Sequence, residues 1–440
     1  MTRLNDFSSF SKATPDSINQ RLQRELKDIP VESLTWKNEN GFDLNPIYLT
    51  NPRPQSEAGV IPYLRGNKSD RLDWLMRQDF DFVPGVGRKI MTALESGVSS
   101  LGLVFPKSGK GVLSDELKGV MPDLINMNFH FDGNAGSQLT QILGWFKENT
   151  TGSGSLKGTI VSTETELLAG IVKGDFQELR YAGIDTSVYC DKGAISASEI
   201  AIALAALHEQ LLSLMRIGLS IDQASGRVAL RMGVGGSYFV ELSKMRVMRE
   251  LYAELVMAYR PEHDCSQNLF LSAVTTRWNK TIPDIHNNLL RTTTEAMSAA
   301  IGGVDELTVR PFDELVAEND DIGLRLARNI QYLLTEESRL NTTADPAGGS
   351  YYIENLTEKL ADIAWKGFQS IEANGGFGAC NKSGYIEEML KKDASSAIES
   401  VSTGKRIVVG VNKYKPAKNE HEIMVDGRLT SRFEMKEATK

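Results

Sequence analysis

The chain reads Asn341-Thr-Thr-Ala-Asp-Pro-Ala-Gly-Gly-Ser-Tyr-Tyr352 between two stretches with helical periodicity. Asp345-Pro346 turns the chain, because proline fixes φ and has no backbone donor. Gly348-Gly349 allows backbone conformations that a side chain would forbid. The segment Gly349–Glu354 is then predicted to be a strand, since aromatic and β-branched residues favour strands. Taken alone, the stretch is typical of a helix–turn–strand corner.

Strand and helix patterns alternate along the chain from about residue 98. Eight segments have a strand-like composition: Ser100–Phe105, Leu124–Phe131, Gly158–Thr163, Thr186–Cys190, Arg227–Gly233, Asn268–Thr275, Leu307–Pro311 and Gly349–Glu354. Most are followed by a helical pattern: Ser137–Lys147, Glu164–Gly170, Ser196–Ile217, Tyr238–Tyr259, Pro283–Ala300, Ile322–Leu340 and Glu358–Asn374. The alternation predicts an α/β fold, either a (β/α)8 TIM barrel or a large open sheet.

The chain outside this alternation divides into three segments. Residues 1–35 are predicted to form an N-terminal arm whose amphipathic stretch, Asp16–Leu26, docks on another surface. Residues 36–97 are predicted to be extended chain leading into a barrel at 98–400. The C-terminal tail, 401–440, carries a strand-like segment, Arg406–Val411, and then a charged run.

The composition excludes several classes of function. The net charge of −8 argues against nucleic acid or an anionic membrane as partner. No apolar run approaches the length of a membrane span, and the N-terminus lacks the apolar core of a signal peptide. Cys190, Cys265 and Cys380 are far apart and lack metal-site spacing, so we expect reduced thiols, no metal site and a cytoplasmic location.

Two glycine-rich loops are candidate phosphate sites. Gly233-Val234-Gly235-Gly236 follows a strand and precedes a helix, where backbone amides can meet an anion. Its spacing does not match the dinucleotide fingerprint, and no P-loop lysine follows. Ser108-Gly109-Lys110-Gly111 follows the strand Ser100–Phe105 in the same way. Both loops are more typical of turns than of anion sites.

Five histidines limit the acid–base chemistry available to the chain. His130 ends a predicted strand, where barrel enzymes place their chemistry, and together with Asp132 it is a candidate acid–base pair. His286 lies in a sequence similar to a cobalamin-ligand motif, but the glycine of that motif is missing. His208 has no evident partner in the sequence. Considered from its residues alone, the chain has no convincing catalytic set.

The opening stretch resembles a segment of the methylmalonyl-CoA mutase family that usually reads D-P-W-G-G-S-Y-Y-V-E. This chain reads Asp345-Pro346-Ala347-Gly348-Gly349-Ser350-Tyr351-Tyr352-Ile353-Glu354. Two further segments are similar to the family's N-T-Q-L-L-L and P-W-T-I-R-Q, namely Asn329-Ile330-Gln331-Tyr332-Leu333-Leu334 and Asp73-Trp74-Leu75-Met76-Arg77-Gln78. The resemblance extends over about residues 35–415 and implies a CoA-type (β/α)8 barrel.

The chain departs from this family at positions that active members need. A family tyrosine is replaced by Ser69, and a barrel histidine is replaced by Ser272. The Q-E-A-G-A segment becomes Cys190-Asp191-Lys192-Gly193-Ala194. The G-H-T-Q segment, which faces the corrin, becomes Gly302-Gly303-Val304-Asp305. We also expect no C-terminal cobalamin-binding domain in this chain.

These departures have chemical consequences. Serine is shorter than histidine and supplies no imidazole donor at Ser272. Gly303 and Asp305 replace neutral donors and add a negative charge at a position expected to face a corrin. The resemblance therefore implies no catalytic and no cofactor-binding residue here, with Ser69, Cys190, Ser272, Gly303 and Asp305 as degenerate positions.

The resemblance implies an enzyme that isomerises methylmalonyl-CoA to succinyl-CoA. In such an enzyme a radical derived from adenosylcobalamin carries out the difficult chemical step. We expect this chain to be a catalytically silent small (β) subunit in a heterodimer. The large (α) subunit is its expected partner and would bind substrate and adenosylcobalamin.

Two alternatives remain open at this point. The chain could be a substrate-binding acyl-CoA mutase chain that works with a separate cobalamin-binding subunit. It could also be a CoA-binding or self-associating module without a mutase partner. Ser69, Ser272, Gly303 and Asp305 argue against the first alternative, because the groups that active members use are replaced there.

Overall fold

The computed structural model describes residues 13–27, 29–53, 56–106, 112–131, 135–150, 155–172, 178–316 and 321–415. The described chain starts with helix α1 (Pro15–Leu26), which Thr14 and Ser17 close with a reciprocal capping box. A short antiparallel hairpin of β1 (Trp36–Lys37) and β2 (Asp43–Leu44) follows. No residue of α1 is buried, so this helix has no core of its own among the described residues.

Eight parallel strands then form a closed barrel, which confirms the predicted TIM barrel over the open sheet. The last strand pairs with the first, since Glu306 lies opposite Leu75 on one side and Ser272 on the other. The strands are β3 (Leu75–Asp81), β4 (Ser100–Phe105), β5 (Asn126–Phe131), β6 (Gly158–Val161), β7 (Leu179–Asp185), β8 (Val228–Val234), β9 (Leu271–Thr275) and β10 (Glu306–Thr308).

Helices surround the barrel and bury its outer face. They are α2 (Gly87–Glu95), α3 (Leu113–Glu116), α4 (Ala135–Asn149), α5 (Thr165–Val172), α6 (Ser187–Cys190), α7 (Ser196–Arg216), α8 (Ile221–Ser225), α9 (Tyr238–Met257), α10 (Asn287–Ile301), α11 (Asp321–Tyr332), α12 (Tyr351–Ala373), α13 (Gly376–Ser383) and α14 (Tyr385–Ser402). Among the described helices, α7 alone is long and apolar enough to cross a membrane. Its residues from Ser196 to Leu207 are buried, as expected of a core helix pressed on the sheet.

Two of the eight predicted strands were wrong. Thr186–Cys190 is largely helix α6, because Asp185 accepts hydrogen bonds from the amide and hydroxyl of Ser187 and starts a helical turn. Gly349–Glu354 leads into helix α12, where the Glu354 carboxylate accepts the Gly349 amide at 2.9 Å. In both segments a local side-chain bond overrides the β-propensity of valine and tyrosine.

Two barrel strands were not indicated by the sequence. One is β7 (Leu179–Asp185), which directly precedes the wrongly predicted strand Thr186–Cys190. The other is β3, which lies within the segment predicted to be extended chain before residue 98. Its charged residues Arg77, Asp79 and Asp81 hid the strand pattern. The prediction of a strand at Arg406–Val411 in the tail was also wrong. It is a turn, because the Asn412 side chain binds the backbone of Val401, Arg406 and Val408 and folds the chain back.

The stretch of residues 341–352 anchors the outer helix α12 to the barrel helix α9. Arg246 of α9 is 1% exposed, and its guanidinium donates to Asp345 at 2.6 Å and to Glu354 at 2.8 Å. Arg65 holds the other oxygen of Asp345 at 2.7 Å. A side chain at Gly348 would come within 2.3 Å of that same carboxylate. The glycine is therefore required by close approach, and the stretch is a buried ion-pair anchor.

Replacing Arg246 should destabilise the whole chain, because Arg246→Met leaves the buried Asp345 and Glu354 carboxylates without their shared cation. Removing one partner of a buried pair costs about 3–5 kcal/mol, so urea denaturation should show a loss of that size in the free energy of unfolding. The control is Arg21→Gln on α1, where the arginine is 83% exposed and the change should stay within about 0.5 kcal/mol. Equal stability of the two variants would contradict the anchor.

Candidate functional site

A cavity of about 610 Å³ opens at the carboxyl ends of the barrel strands, where TIM-barrel proteins place their sites. Side chains from four strands point into it: Asp79 of β3, His130 of β5, Asp185 of β7 and Arg231 of β8. Residues of the loops that follow β9 and β10 form its rim, including Arg277, Lys280 and Arg310. This cavity is the candidate site.

The charged groups of the cavity wall are bonded to one another. Arg231 forms a close ion pair with Asp79 and lies 3.5 Å from Asp185. Arg77, which is buried beneath them, donates to Asp79 at 2.6 Å. Burial alone would raise the pKa of Asp79, but Arg231 and Arg77 outweigh it and hold that pKa well below its ordinary value. Asp79 is therefore a permanent carboxylate that balances two arginines.

The cations of the rim are also paired with carboxylates. Arg310 donates to the Asp191 carboxylate at 2.8 Å, and the Arg277 side chain contacts Glu314. Lys280 is bonded to both oxygens of Glu295, at 2.6 and 2.8 Å. Each cation that lines the cavity thus has a carboxylate from the same chain, which leaves no uncompensated positive charge for an acidic substrate in the described wall.

Beneath the cavity, the barrel axis is filled by a second polar layer around Glu306. One oxygen of Glu306 accepts the Ser100 hydroxyl at 2.5 Å and the Asn128 amide at 3.0 Å. The other accepts Arg77 at 3.0 Å and the Ser272 hydroxyl at 2.9 Å. All five side chains are buried. The interior at this level is therefore occupied by the protein's own hydrogen bonds.

His130 is held as a neutral acceptor. Its Nε2 lies 2.7 Å from the Arg77 guanidinium, which has only donors, so Nε2 accepts and the proton is on Nδ1. Nδ1 faces Asp185 at 3.8 Å. Burial first, and then Arg77 and Arg231, lower the pKa of His130 to about 4. The imidazole is consequently a weak base at neutral pH. Its predicted partner Asp132 lies outside the described residues.

Two positions that differ from the family pattern lie away from the cavity wall. Ser272, where active members have a histidine, is 4% exposed and fully engaged with Glu306 below the cavity. Ser69 is exposed in the loop before β3, on the amino-terminal side of the barrel.

A third position, Cys190, is buried at the end of α6, and burial raises the pKa of its thiol well above the ordinary value. A side chain at Gly233 would collide with it at 2.3 Å. Cys190 is thus a packing residue and not a nucleophile.

Gly303 and Asp305 lie just before β10, at the amino-terminal end of the barrel and opposite the cavity. Arg249 donates to the Gly303 carbonyl at 2.6 Å and to Asp305 at 3.0 Å. Asp305 also accepts the Leu271 amide at 2.8 Å. Burial alone would raise the pKa of Asp305, but the positive charge of Arg249 outweighs burial and lowers that pKa. These two positions therefore close the barrel end.

The candidate phosphate loop at Gly233–Gly236 is occupied by the chain itself. The Gly233 amide donates to Glu199 at 2.7 Å, and the Gly235 amide donates to Glu241 at 3.0 Å. Lys244 balances both carboxylates, at 2.9 and 2.5 Å. The other candidate loop, Ser108 to Gly111, lies outside the described residues. Within the described ranges, no group of three or more His, Cys, Asp or Glu side chains could hold a metal ion.

The sequence alone did not identify the charged set Arg77, Asp79, Asp185, Arg231 and Glu306. Only Arg77 lies in a segment that resembles a family motif, Asp73-Trp74-Leu75-Met76-Arg77-Gln78, and most of the partners are far apart along the chain. One available signal was the charge at every second position from Arg77 to Asp81 within Leu75–Asp81, which is unusual for a barrel strand.

Comparison with known proteins finds a family to which this chain is similar. A family model described as methylmalonyl-CoA mutase matches residues 171–438. The chain is 31% identical to the methylmalonyl-CoA mutase small subunit of Porphyromonas gingivalis, over 93% of this chain and 71% of that protein. In Streptomyces virginiae it is 28% identical to a small subunit, over 87% of this chain and 66% of that protein, and 31% identical to a large subunit, over 77% and 44%.

The low pKa of His130 predicts a specific pH dependence of stability. The unfolded imidazole takes up a proton near pH 6.5, whereas the folded one does not until about pH 4, so stability is lost as the pH falls through this window. Between pH 7 and pH 5 the loss from this residue should be about 2 kcal/mol. Urea denaturation of His130→Gln should show a smaller pH dependence by that amount.

The matched control is His263→Gln, which removes an exposed imidazole and should keep the pH dependence of the unaltered protein. If His130→Gln and the unaltered chain lose stability in parallel from pH 7 to pH 5, the neutral, buried state of His130 is wrong.

Proposed function

The chain belongs to the methylmalonyl-CoA mutase family, and on this premise we propose that it is the non-catalytic small subunit of a heterodimeric mutase. Its role is to stabilise a large subunit that isomerises methylmalonyl-CoA to succinyl-CoA with adenosylcobalamin. The observation that carries this proposal is the barrel interior, where Arg77, Asp79, Arg231 and Glu306 bind one another. A substrate entering along this axis would have to break buried ion pairs, each of which is costly to separate.

The residues that would have to meet a corrin do not fit that group. Gly303 and Asp305 lie at the barrel end opposite the cavity, and Asp305 is already bonded to Arg249, Leu271 and Asn67. The carboxylate is an acceptor and offers no donor to corrin amide oxygens. We therefore assign adenosylcobalamin to the large subunit and no catalytic step to this chain.

The partner is supported by the relatives and by helix α1. Small and large subunits of one organism, Streptomyces virginiae, both match this chain. The apolar stripe of α1, formed by Ile18, Leu22 and Leu26, is only partly covered by the described chain. An isolated helix shorter than about 12–15 residues is marginal in water, so this stripe needs a surface to dock on. We assign it to the large subunit, together with the C-terminal tail.

The cellular location follows from the same proposal. Cys190, Cys265 and Cys380 are all free thiols in the structure, which suits a reducing compartment. Helix α7, the one helix of membrane length among the described residues, is a buried core helix. We accordingly place the heterodimer in the cytoplasm.

The alternative of a substrate-binding chain served by a separate cobalamin subunit has one observation in its favour. The cavity at the barrel mouth, at about 610 Å³, is within the usual size range of small-molecule sites. Its arginines are already paired, however, and Ser272 lies below the cavity floor and is bonded to Glu306. The geometry therefore favours the subunit role.

Co-expression with the large mutase subunit of the same organism tests the proposal. We expect the large subunit to be poorly soluble and weakly active alone, and to gain full turnover when this chain is present. Turnover of the mixed complex, per large subunit, is the measurement. A large subunit that reaches the same yield and turnover alone would contradict the subunit role.

The same co-expression experiment tests whether helix α1 of the N-terminal arm contributes to the interface with the large subunit. Leu22→Asp places a charge in the apolar stripe of α1 and should reduce recovery of the complex, while Gln20→Asp on the exposed face should not. Unchanged recovery with Leu22→Asp would remove α1 from the interface.

A further inference from the structure

An aromatic surface lies where the hairpin of β1 and β2 meets the first turns of helices α9 and α12. A groove of about 620 Å³ is formed there by eight residues, none of them charged: Trp36, Asn45, Pro46, Tyr48, Gly349, Ser350, Tyr351 and Tyr352. Four of the eight are aromatic, whereas aromatic residues make up 8% of the whole chain and charged residues 24%. Depletion of charge with enrichment in tyrosine and tryptophan is typical of the centre of a protein–protein interface.

The rings of this surface pack edge to face and yet remain open to solvent. The centroid of the Tyr352 ring lies 5.4 Å from the ring centroids of both Tyr48 and Phe239, and both contacts are T-shaped. Trp36, Phe239 and Tyr351 keep 51%, 49% and 47% of their surface exposed. Aromatic side chains are frequent energetic anchors of interfaces, so three half-exposed rings around one groove indicate a binding surface.

Side-chain bonds to both helices hold this surface in place. Asn355 of α12 donates to the Thr50 carbonyl at 3.0 Å. Arg53 forms close ion pairs with Glu250 of α9 and Glu358 of α12. The segment that carries Tyr48 is thus fixed on both helices. A partner would meet rings that are already ordered, which lowers the entropy cost of binding.

Helix α1 leads directly into the aromatic surface. Its apolar stripe ends at Leu26, and the chain reaches Trp36 ten residues later through the 3-10 turn Val31–Leu34, against which α1 packs. Between them Ile29 and Leu34 are also exposed, at 52% and 39%. Exposed apolar side chains therefore recur along the chain from the stripe of α1 to the groove, so the partner that covers α1 is placed to cover the groove as well.

We propose that the aromatic surface is a docking site for the large subunit, an inference that rests on the proposed subunit function and extends the contact of α1. The large subunit of Streptomyces virginiae is 31% identical to this chain over 77% of it, so the two subunits share a fold. Subunits of one fold can pair through equivalent faces, as those of symmetric dimers do. An uncharged face suits this pairing, because it sets no like charges against each other.

Dissociation of the co-expressed complex tests the docking site, with Phe239→Ser and Tyr351→Ser combined in the full chain. We expect the dissociation constant, measured by sedimentation velocity over a dilution series, to rise about tenfold or more, because truncated aromatic anchors lose their contacts with the partner. Both side chains are about half exposed, so the melting temperature of the isolated chain should stay within about 2 °C of the unaltered value.

The matched control is Met257→Ser combined with Leu290→Ser, which removes two exposed apolar side chains from the other end of α9 and from α10. This pair should leave the dissociation constant within twofold. Equal weakening by both pairs would overturn the docking site, because the effect would then come from general loss of apolar surface. A homodimer of the chain alone that only the aromatic pair of substitutions dissociates would overturn the choice of partner.

The unaltered chain separates this inference from the proposed function. If it forms no complex with the large subunit, the subunit role and the docking site fail together. If the complex forms and the aromatic pair of substitutions leaves its dissociation constant unchanged, the docking site alone is wrong.

Discussion

A charged side chain inside a protein must have an opposite charge beside it, since transfer from water without a partner costs far more than a fold can supply. This constraint organises the barrel interior. Arg77 is 3% exposed and Glu306 is fully buried, and the bond between them joins the first strand of the barrel to the last. Asp79 and Arg231 extend the set across the barrel to β8. The closed sheet and its inner charges therefore hold each other in place.

Helix α9, which lies outside the sheet, also pairs its buried cations with acidic side chains. Lys244, Arg246 and Arg249 are among the most buried side chains of the described protein, and each has an acidic partner. Lys244 binds Glu199 and Glu241, the acids that accept the amides of the Gly233–Gly236 loop. Arg246 binds Asp345 in the stretch of residues 341–352. Arg249 holds Asp305, a position where the family pattern has a neutral residue. A residue that looks like a lost cofactor contact is thus part of the scaffold.

The sequence predicted the parts of the fold that depend on local pattern. Ser100–Phe105 is a strand with those bounds, and Ser196–Ile217 differs from α7 by one residue. It missed β3 because ion pairs inside a barrel do not follow an apolar pattern, and it missed β7, since the predicted strand began just after that strand ends. It also misplaced Thr186–Cys190 and Gly349–Glu354, where one carboxylate starts a helix. The candidate site was harder to predict, because Arg77 and Glu306 are 229 residues apart and Asp79 and Arg231 are 152 apart.

The barrel keeps the family architecture while its interior is filled by its own ion pairs. Calorimetric titration of the isolated chain with methylmalonyl-CoA in the presence of adenosylcobalamin tests this most directly. We expect no saturable binding up to about 1 mM ligand, which corresponds to a binding free energy weaker than about −4 kcal/mol, and no succinyl-CoA. Binding of one acyl-CoA per chain at micromolar concentration, with turnover, would contradict it.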